Sequence, residues 1–374
     1  MRLSVIILNY KVPYYLMHCL ASVSRAIQNI DAEIIVVDNH SQDESVSLVN
    51  RYFPEVRIIE NPTNSGFSRG NNLGVKEAQG AYICLVNPDV FVSENCFAEA
   101  LAFADAHTDL GILGVKMIDG SGSFLPESKR NIPTPKVSFS KILGNTKNYY
   151  SALSENEIGK VEILSGAFML MKKEKYLEVG GLDEDYFMYG EDIDLSYKFL
   201  KKGYQNYYLG TTKIIHYKGE STVKDASYRK RFYGAMKIFY RKHFYKNQFF
   251  YQLVSLGAKL LQSNFFNTTK KKQVEVSEVY HNYFIASIDE SIQRKLEKKY
   301  NTNFETVATH NDGFPSTQNS LLVLDNETVS AQAIINFIEA SQSTSLKYRI
   351  RPRGFDFIIG SDQSISRGEV VKLD

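Results

Sequence analysis

Few cysteines, no long apolar run and no excess of one charge mark this 374-residue chain. Its three cysteines, Cys19, Cys84 and Cys96, are odd in number and without spacing pattern. That excludes a disulfide framework or a cysteine zinc site and reads as reduced core thiols. No stretch approaches the roughly 18 apolar residues of a membrane span, and the first ten residues turn polar too soon for a signal peptide. Against 44 Lys and Arg stand 42 Asp and Glu, a formal net charge of +2 that by itself designates no partner. There is no internal repeat and no low-complexity tract. The Gly- and Asn-rich segment 61–72 is not followed by Gly-Lys-Ser/Thr, which excludes a P-loop. No side chain stands out as an activated nucleophile.

What is present is enough for a substantial core: 43% of residues are hydrophobic and 23% charged, in a chain long enough for two domains. Strand signals at 3–8, 33–37, 56–60, 82–86 and 111–117 alternate with helical ones. A helix over 13–26 places Leu16, Leu20 and Val23 on one face, and Ser41 with Glu44 fits a capping box opening another. The alternation predicts an α/β protein with a Rossmann-like, mostly parallel central sheet covered by helices. Residues 126–160 hold three prolines and predict a long loop over the sheet's carboxyl edge. A helix over 191–202, stopped by Gly203, and a short strand over 213–216 follow. Between 224 and 246, eight Lys or Arg face one acid, Asp225, before an apolar stretch at 249–261. The predicted organisation is a domain over 1–245, a basic and apolar helical linker over 246–274, and a small α/β domain over 275–374.

The run Ile83-Cys84-Leu85-Val86-Asn87-Pro88-Asp89 predicts a buried strand delivering Asp89 to its carboxyl end, where open α/β sheets bind ligands. His216 ends a later strand. A carboxylate and an imidazole leave most of the coordination sphere of Mn²⁺ or Mg²⁺ to a substrate diphosphate. Taken singly, each is better explained as a cap or a strand-end residue bonded to backbone. Asp38 also ends a strand and suits a ribose hydroxyl or base imide, whereas Asn39 reads as a turn cap. The Gly- and Asn-rich loop 61–72, ahead of a helix containing Val75 and Ala78, suits anionic groups, with Arg69 adding a charge-assisted contact. In Gly190-Glu191-Asp192-Ile193-Asp194, acids at a helix start either stabilise its positive end or supply a base for an incoming hydroxyl. Ser165-Gly166-Ala167 forms a small-residue turn that lets an acceptor approach.

Six segments carry a joint pattern: Ser4-Val5-Ile6-Ile7-Leu8-Asn9-Tyr10; Val37-Asp38-Asn39-His40-Ser41-Gln42-Asp43; Asn64-Ser65-Gly66-Phe67-Ser68-Arg69-Gly70-Asn71-Asn72; Asn87-Pro88-Asp89; Gly180-Gly181-Leu182-Asp183-Glu184 with the Gly190 to Asp194 segment; and His216-Tyr217-Lys218-Gly219-Glu220-Ser221. Over residues 3–245 they resemble the inverting glycosyltransferases of family 2, with the GT-A fold, in the branch containing bacterial rhamnosyltransferases. The resemblance implies donor contacts from Asn9, Tyr10, Asp38, Asn64, Gly66, Arg69, Asn71 and Asn87. It implies that Asp89 is the metal-binding acid of a degenerate Asp-x-Asp motif, Asn87 replacing its first acid, and that His216 binds metal or diphosphate. Asp192 matches the base, with Glu191 as its substitute.

The implied cofactor is a divalent cation, Mn²⁺ or Mg²⁺, with a nucleotide sugar as co-substrate, dTDP-rhamnose being the first choice. The implied reaction is direct displacement with inversion onto a hydroxyl of a glycan or lipid-linked saccharide, as in cell-surface polysaccharide synthesis. A nucleotidyltransferase is a rival, but the Gly-rich Lys motif it needs near the first strand is missing. A catalytically silent glycan- or lipid-binding protein is another, against which the full set Asp38, Asp89, Asp192 and His216 argues. The basic helix suits an anionic membrane surface, so the expected location is cytoplasmic, peripheral on the inner face of the membrane. No nucleic-acid module is evident. Arg349, Arg351 and Arg353 alternate and predict an exposed strand face; no activity attaches to residues 275–374.

Overall fold

Strands β1 (Leu3–Asn9) and β2 (Ala32–Asp38) are runs of branched apolar residues that pair in parallel and register Asn9 against Asp38. They belong to a computed structural model that describes residues 1–142, 144–218, 226–244, 280–307, 319–342, 346–363 and 367–373. The linker expected over 246–274 and the apolar stretch at 249–261 lie outside the described residues. Between β1 and β2 runs α1 (Pro13–Ala26), opened by a proline whose missing N–H costs nothing at a helix start. The chain continues through α2 (Ser45–Tyr52), β3 (Arg57–Glu60), α3 (Gly66–Glu77), β4 (Tyr82–Val86), β5 (Val90–Val92), α4 (Cys96–Ala106) and β6 (Leu110–Ile118). Then come β7 (Lys129–Arg130), α5 (Pro135–Ile142), β8 (Ile158–Val161), β9 (Ile163–Leu164), β10 (Phe168–Lys172), α6 (Lys173–Glu178), α7 (Glu191–Lys201), β11 (Gln205–His216) and α8 (Ala226–His243).

The central sheet has the order β3-β2-β1-β4-β10-β6-β11-β5, with β8 on the side of β11. Strands β1, β2, β3, β4, β6 and β11 share one direction, while β5, β8 and β10 run against it. This is a mixed α/β, mostly parallel arrangement, as the alternation of strand and helix signals predicts. Every residue of β4 is buried. Cys84 and Val86 enter the cluster under α1 and α4, whereas Ile83 and Leu85 enter the one under α3 and α7. Each such branched side chain contributes about 1.5–3 kcal/mol when fully buried. The strand is thereby fixed from both faces, and Asn87, Pro88 and Asp89 follow at its carboxyl end. All three cysteines are buried and unpaired, and burial pushes each thiol up.

Four expectations need correction. The Ser41–Glu44 capping box does not form: α2 begins at Ser45, and Asp38 Oδ2 takes the Ser41 N–H at 2.9 Å instead. Residues 126–160 are not a plain loop but hold β7, α5 and part of β8, with Tyr240 of α8 bonded to the Pro133 carbonyl at 2.6 Å. The short strand at 213–216 is the end of the twelve-residue β11, whose bulges between Gln205 and Tyr207 and between Leu209 and Lys213 hide its periodicity. Of the three arginines only Arg353 is exposed, and it lies beyond the end of its strand. Arg349, 3% exposed, pairs with Asp362 and Glu369, and Arg351, 9% exposed, with Asp325.

A second sheet follows, β13-β12-β14-β15-β16-β17. Its elements are β12 (Asn282–Ala286), α9 (Glu290–Tyr300), β13 (Glu305–Thr306), β14 (Ser320–Asp325), α10 (Ala331–Ala340), β15 (Leu346–Arg351), β16 (Phe357–Gly360) and β17 (Glu369–Lys372). Its outer face packs under α9, and its inner face shares one hydrophobic cluster with α1, β5 and β11. No helix among the described residues is long and apolar enough to cross a membrane.

Candidate active site

The carboxyl ends of β1, β2 and β4 open onto one cavity of about 250 Å³. Tyr10 and Asn39 form one side of it, and Asn64, Gly66 and Phe67 come from the start of α3. Asn87, Pro88 and Asp89 line it after β4, facing Ser165, Gly166 and Ala167 between β9 and β10. The start of α7 contributes Met188, Tyr189, Glu191 and Asp192, and the end of β11 contributes His216 and Lys218. Two of these, Tyr189 and Lys218, are non-glycine residues in the left-handed region, at φ 72° and 62°. Such backbone clusters at functional sites.

One side of the cavity is a lattice of amides. Asn39 Oδ1 accepts the Ser65 N–H at 3.1 Å and Asn61 Nδ2 at 3.0 Å, while its Nδ2 donates to Asn64 Oδ1 at 3.0 Å. Gly66, at φ +82°, brings the loop against Phe187, whose carbonyl would lie 2.4 Å from a Cβ at this position. Only glycine fits there. Of the expected donor residues, Tyr10, Asn64, Gly66 and Asn87 line the cavity. Asp38 is 6% exposed behind it, bonded to Asn9 Nδ2 at 2.9 Å. Asn9 is fully buried, and Asn71 turns inward to the Phe67 carbonyl at 3.0 Å. Arg69 points away: its Nε donates to Glu184 at 2.9 Å.

Asp89 Oδ1 lies 3.4 Å from His216 Nε2, and Asn87 Nδ2 lies 3.4 Å from the same nitrogen. The side chains of Asp89 and His216 are 7% and 10% exposed. Two adjacent ligands on an octahedral ion with bonds of about 2.1 Å sit about 3 Å apart, so the pair is spaced to share one cation. Among the described residues no third His, Cys, Asp or Glu joins them. The donor set therefore fits Mn²⁺ or Mg²⁺ completed by substrate oxygens better than a closed zinc site. Beside it, Lys218 pairs with Glu127. Burial would push the Glu127 carboxyl up, but the Lys218 ammonium outweighs it and holds that carboxyl below its ordinary range. Lys218 is the cation that sequence reasoning missed, although it lies inside the segment after His216.

The opposite wall separates two neighbouring acids. Asp192 Oδ2 accepts from Arg130 at 2.6 Å and from the Gly166 N–H at 3.3 Å, and its Oδ1 accepts the Ile193 N–H at 2.8 Å. Arg130 also donates to the Leu164 carbonyl at 2.8 Å. Burial opposes its charge, yet the Asp192 carboxylate outweighs burial and pushes the guanidinium up. Glu191 differs: it is 6% exposed, and its Oε2 is buried with no partner among the described residues. Burial first, and the Asp192 charge second, push it up to about 8. Asp194 faces away from the cavity toward His243 at 2.6 Å and Lys198 at 3.3 Å.

Because Glu191 keeps its proton in the folded state up to about pH 8 and loses it near 4.5 when unfolded, its stabilising share is complete below pH 4.5. That share falls as pH rises through 8. Glu191→Gln is therefore expected to gain stability relative to the parent between pH 5 and 9. Thermal melts across that range check this; parallel pH profiles for the two proteins would contradict it.

Helix α8 packs Ala235, Phe239 and Tyr240 against Ile163, Tyr186 and Ile193. The apolar face of α8 is thus turned into the protein, and Lys242 pairs with Asp183 and Asp185.

Residues 4–180 match the family model described as Glycosyl transferase family 2. The chain is 27% identical over 241 residues to the N-acetylglucosaminyl-diphospho-decaprenol L-rhamnosyltransferase of Mycobacterium tuberculosis, covering 60% of this chain and 78% of that one. It is 26% identical over 162 residues to the rhamnosyltransferase WbbL of Escherichia coli, 41% of this chain and 61% of that one. The crystal structure of S. aureus TarS 1-349 aligns at a TM-score of 0.45 and 20% identity, covering 64% of each chain.

Proposed function

We infer, from the premise that residues 4–180 of this chain are a family 2 glycosyltransferase domain, that the protein moves a sugar from a nucleotide-sugar donor onto a hydroxyl of a glycan or lipid-linked saccharide, with inversion. One observation carries this reading. A single cavity joins groups suited to a nucleoside diphosphate, Tyr10, Asp89 and His216 at strand ends and Asn64 before α3, to the acids at the start of α7.

Asp192 is the base. The acceptor O–H proton passes to its carboxylate as the acceptor oxygen bonds the anomeric carbon opposite the leaving group. The electron pair of the broken carbon–oxygen bond departs with the nucleoside diphosphate. Arg130 and the Gly166 N–H hold Oδ2 in place, and the Ser165-Gly166-Ala167 turn leaves room for the acceptor. Glu191, protonated at neutral pH, supports the wall instead of taking the proton. Lys218, which lines the same cavity as Asp89 and His216 and is held by Glu127, would favour the charge of a leaving diphosphate there. A divalent cation held by Asp89 and His216 supplies further neutralisation of that charge when bound.

The donor of first choice is dTDP-rhamnose, supported by the rhamnosyltransferase names of two relatives. A prenyl-diphosphate-linked N-acetylhexosamine is the acceptor class to test first, after the name of the M. tuberculosis relative. Exposed basic residues of α8, Lys230 and Arg241 among them, favour an anionic membrane surface beside such an acceptor. Thermal melts with Mn²⁺ and a panel of nucleotide sugars test the donor, since stabilisation follows ligand affinity. dTDP-rhamnose is expected to raise the melting temperature more than UDP- or GDP-sugars. A response to none of them, or only to nucleoside triphosphates, would overturn the reading.

A further inference from the structure

We propose that the C-terminal unit, residues 280–373, is a clamp that sets the position of the Asp89–His216 pair, with Glu94 and Glu339 as its positioning residues. The importance of that pair rests on the proposed function; the clamp itself rests on packing. The pair sits at one end of the β5–β11 ladder. His216 is registered opposite Val90, the residue after Asp89, and the Tyr217 N–H donates to the Asp89 carbonyl at 3.0 Å.

The remote end of the same ladder is fastened to α10. Just beyond β5, the two carboxylate oxygens of Glu94 accept the Ala331 and Gln332 N–H groups at 2.8 and 3.0 Å. Those donors belong to the first turn of α10, where a helix leaves its N–H groups unmet. In the last turn of α10, Glu339 pairs with Lys213 of β11 and, at 2.6 Å, with Lys116 of β6. Lys116 is 1% exposed. Lys116 also meets Glu155 at 3.4 Å and Asn156 Oδ1 at 2.7 Å, but a cation buried that deeply depends on its carboxylates and Glu339 is the nearer of the two, so the contact is not an incidental surface pair. Burial would push the Glu339 carboxyl up, but the two lysines outweigh it and hold it low.

Between these two ties the surfaces are in direct contact. Phe91 and Ile215 of the ladder share one hydrophobic cluster with Ile334, Ile335 and Ile338 of α10. Gly122, at φ +88°, comes so close that a Cβ would lie 2.2 Å from the Ile338 carbonyl. Helix α10 therefore holds both strands of the ladder at the end away from the pair. The free end carries the two side chains whose separation decides whether they share a cation.

Hydrogen exchange on the full chain without ligand, together with calorimetry of dTDP and Mn²⁺ binding, tests this. The variants are the double Glu94→Ala/Glu339→Ala and, as a control, Ile292→Ala. Ile292 lies under the far face of the second sheet. In the double variant, exchange of residues 89–92 and 213–218 is expected to accelerate by about tenfold, and half-saturating Mn²⁺ to rise by about tenfold, as when outer-shell partners of a metal site are lost. The control is expected to leave both unchanged even where its melting temperature falls. Should the double alanine variant not fold, Glu94→Gln/Glu339→Gln keeps the shapes and is expected to give the same direction. Exchange at 89–92 and 213–218 equal to the parent, or accelerated equally in the control, would overturn the clamp. A parent protein that shows the expected exchange pattern but binds no dTDP with Mn²⁺ would overturn the choice of donor, and one that binds no nucleoside diphosphate with Mn²⁺ would overturn the proposed function; either would uphold the clamp.

Discussion

Asp192→Asn is expected to lower the turnover number by about 10³-fold, within the range of about 10²–10⁴ that a positioned general base contributes. Nucleotide-sugar affinity should stay at the parent value. The amide keeps an oxygen for Arg130 and for the Gly166 N–H, both now bonded to Oδ2, and gives up only the Oδ1 acceptor of the Ile193 N–H. What it loses is the capacity to take a proton. Because Arg130 is left with the Leu164 carbonyl and a weaker acceptor, the variant is also expected to melt earlier, and rates should be compared well below its transition. Glu191→Gln serves as the contrast. Its parent side chain already carries a proton at pH 7, being pushed up to about 8 by burial and the neighbouring Asp192 charge, so turnover at pH 7 should fall far less. Steady-state kinetics with separate donor and acceptor titrations read both effects. A large loss in Glu191→Gln with a small one in Asp192→Asn would exchange the two roles.

Asp89→Ala is expected to weaken Mn²⁺-dependent donor binding by at least about 100-fold, exceeding the about 10–100-fold cost of losing an outer-shell partner. His216 then stands alone at the cavity with Asn87 as its remaining polar neighbour, 3.4 Å away. Binding without metal should change little, because the amide lattice of Asn39, Asn61 and Asn64 is untouched. Calorimetry of dTDP-rhamnose with and without Mn²⁺ separates the two contributions. Equal metal enhancement in variant and parent would remove Asp89 from the metal site.

Much of the frame was legible in the chain, for identifiable reasons. Strands β1 and β4 are buried on both faces and read as unbroken apolar runs, and α1 shows its buried face through Leu16, Leu20 and Val23. Those elements deliver Tyr10 and Asp89 to the cavity; the spacing of the acids at 191–194 did not show which of them face it, since Glu191 and Asp192 line it while Asp194 turns to His243 and Lys198. The direction of β10 was not legible: Phe168, Met169, Leu170 and Met171 would be apolar in either orientation, and only pairing with β4 and β6 makes the strand antiparallel. Arg130 lies 62 residues from Asp192, so no local pattern announces their contact. Arg349 and Arg351 misled because a charge alternating along a strand normally points to water, whereas here Asp362, Glu369 and Asp325 meet them inside.

One experiment bears most directly on the claim that this cavity transfers a sugar from a nucleotide donor by displacement at the anomeric carbon. The donor that best stabilises the protein is incubated with Mn²⁺ and a saccharide acceptor, and one sample is followed by phosphorus and proton nuclear magnetic resonance. The account predicts nucleoside diphosphate as the phosphorus product and a glycoside of inverted anomeric configuration, both lost in Asp192→Asn. Pyrophosphate, or a product that retains the donor's configuration, would contradict it.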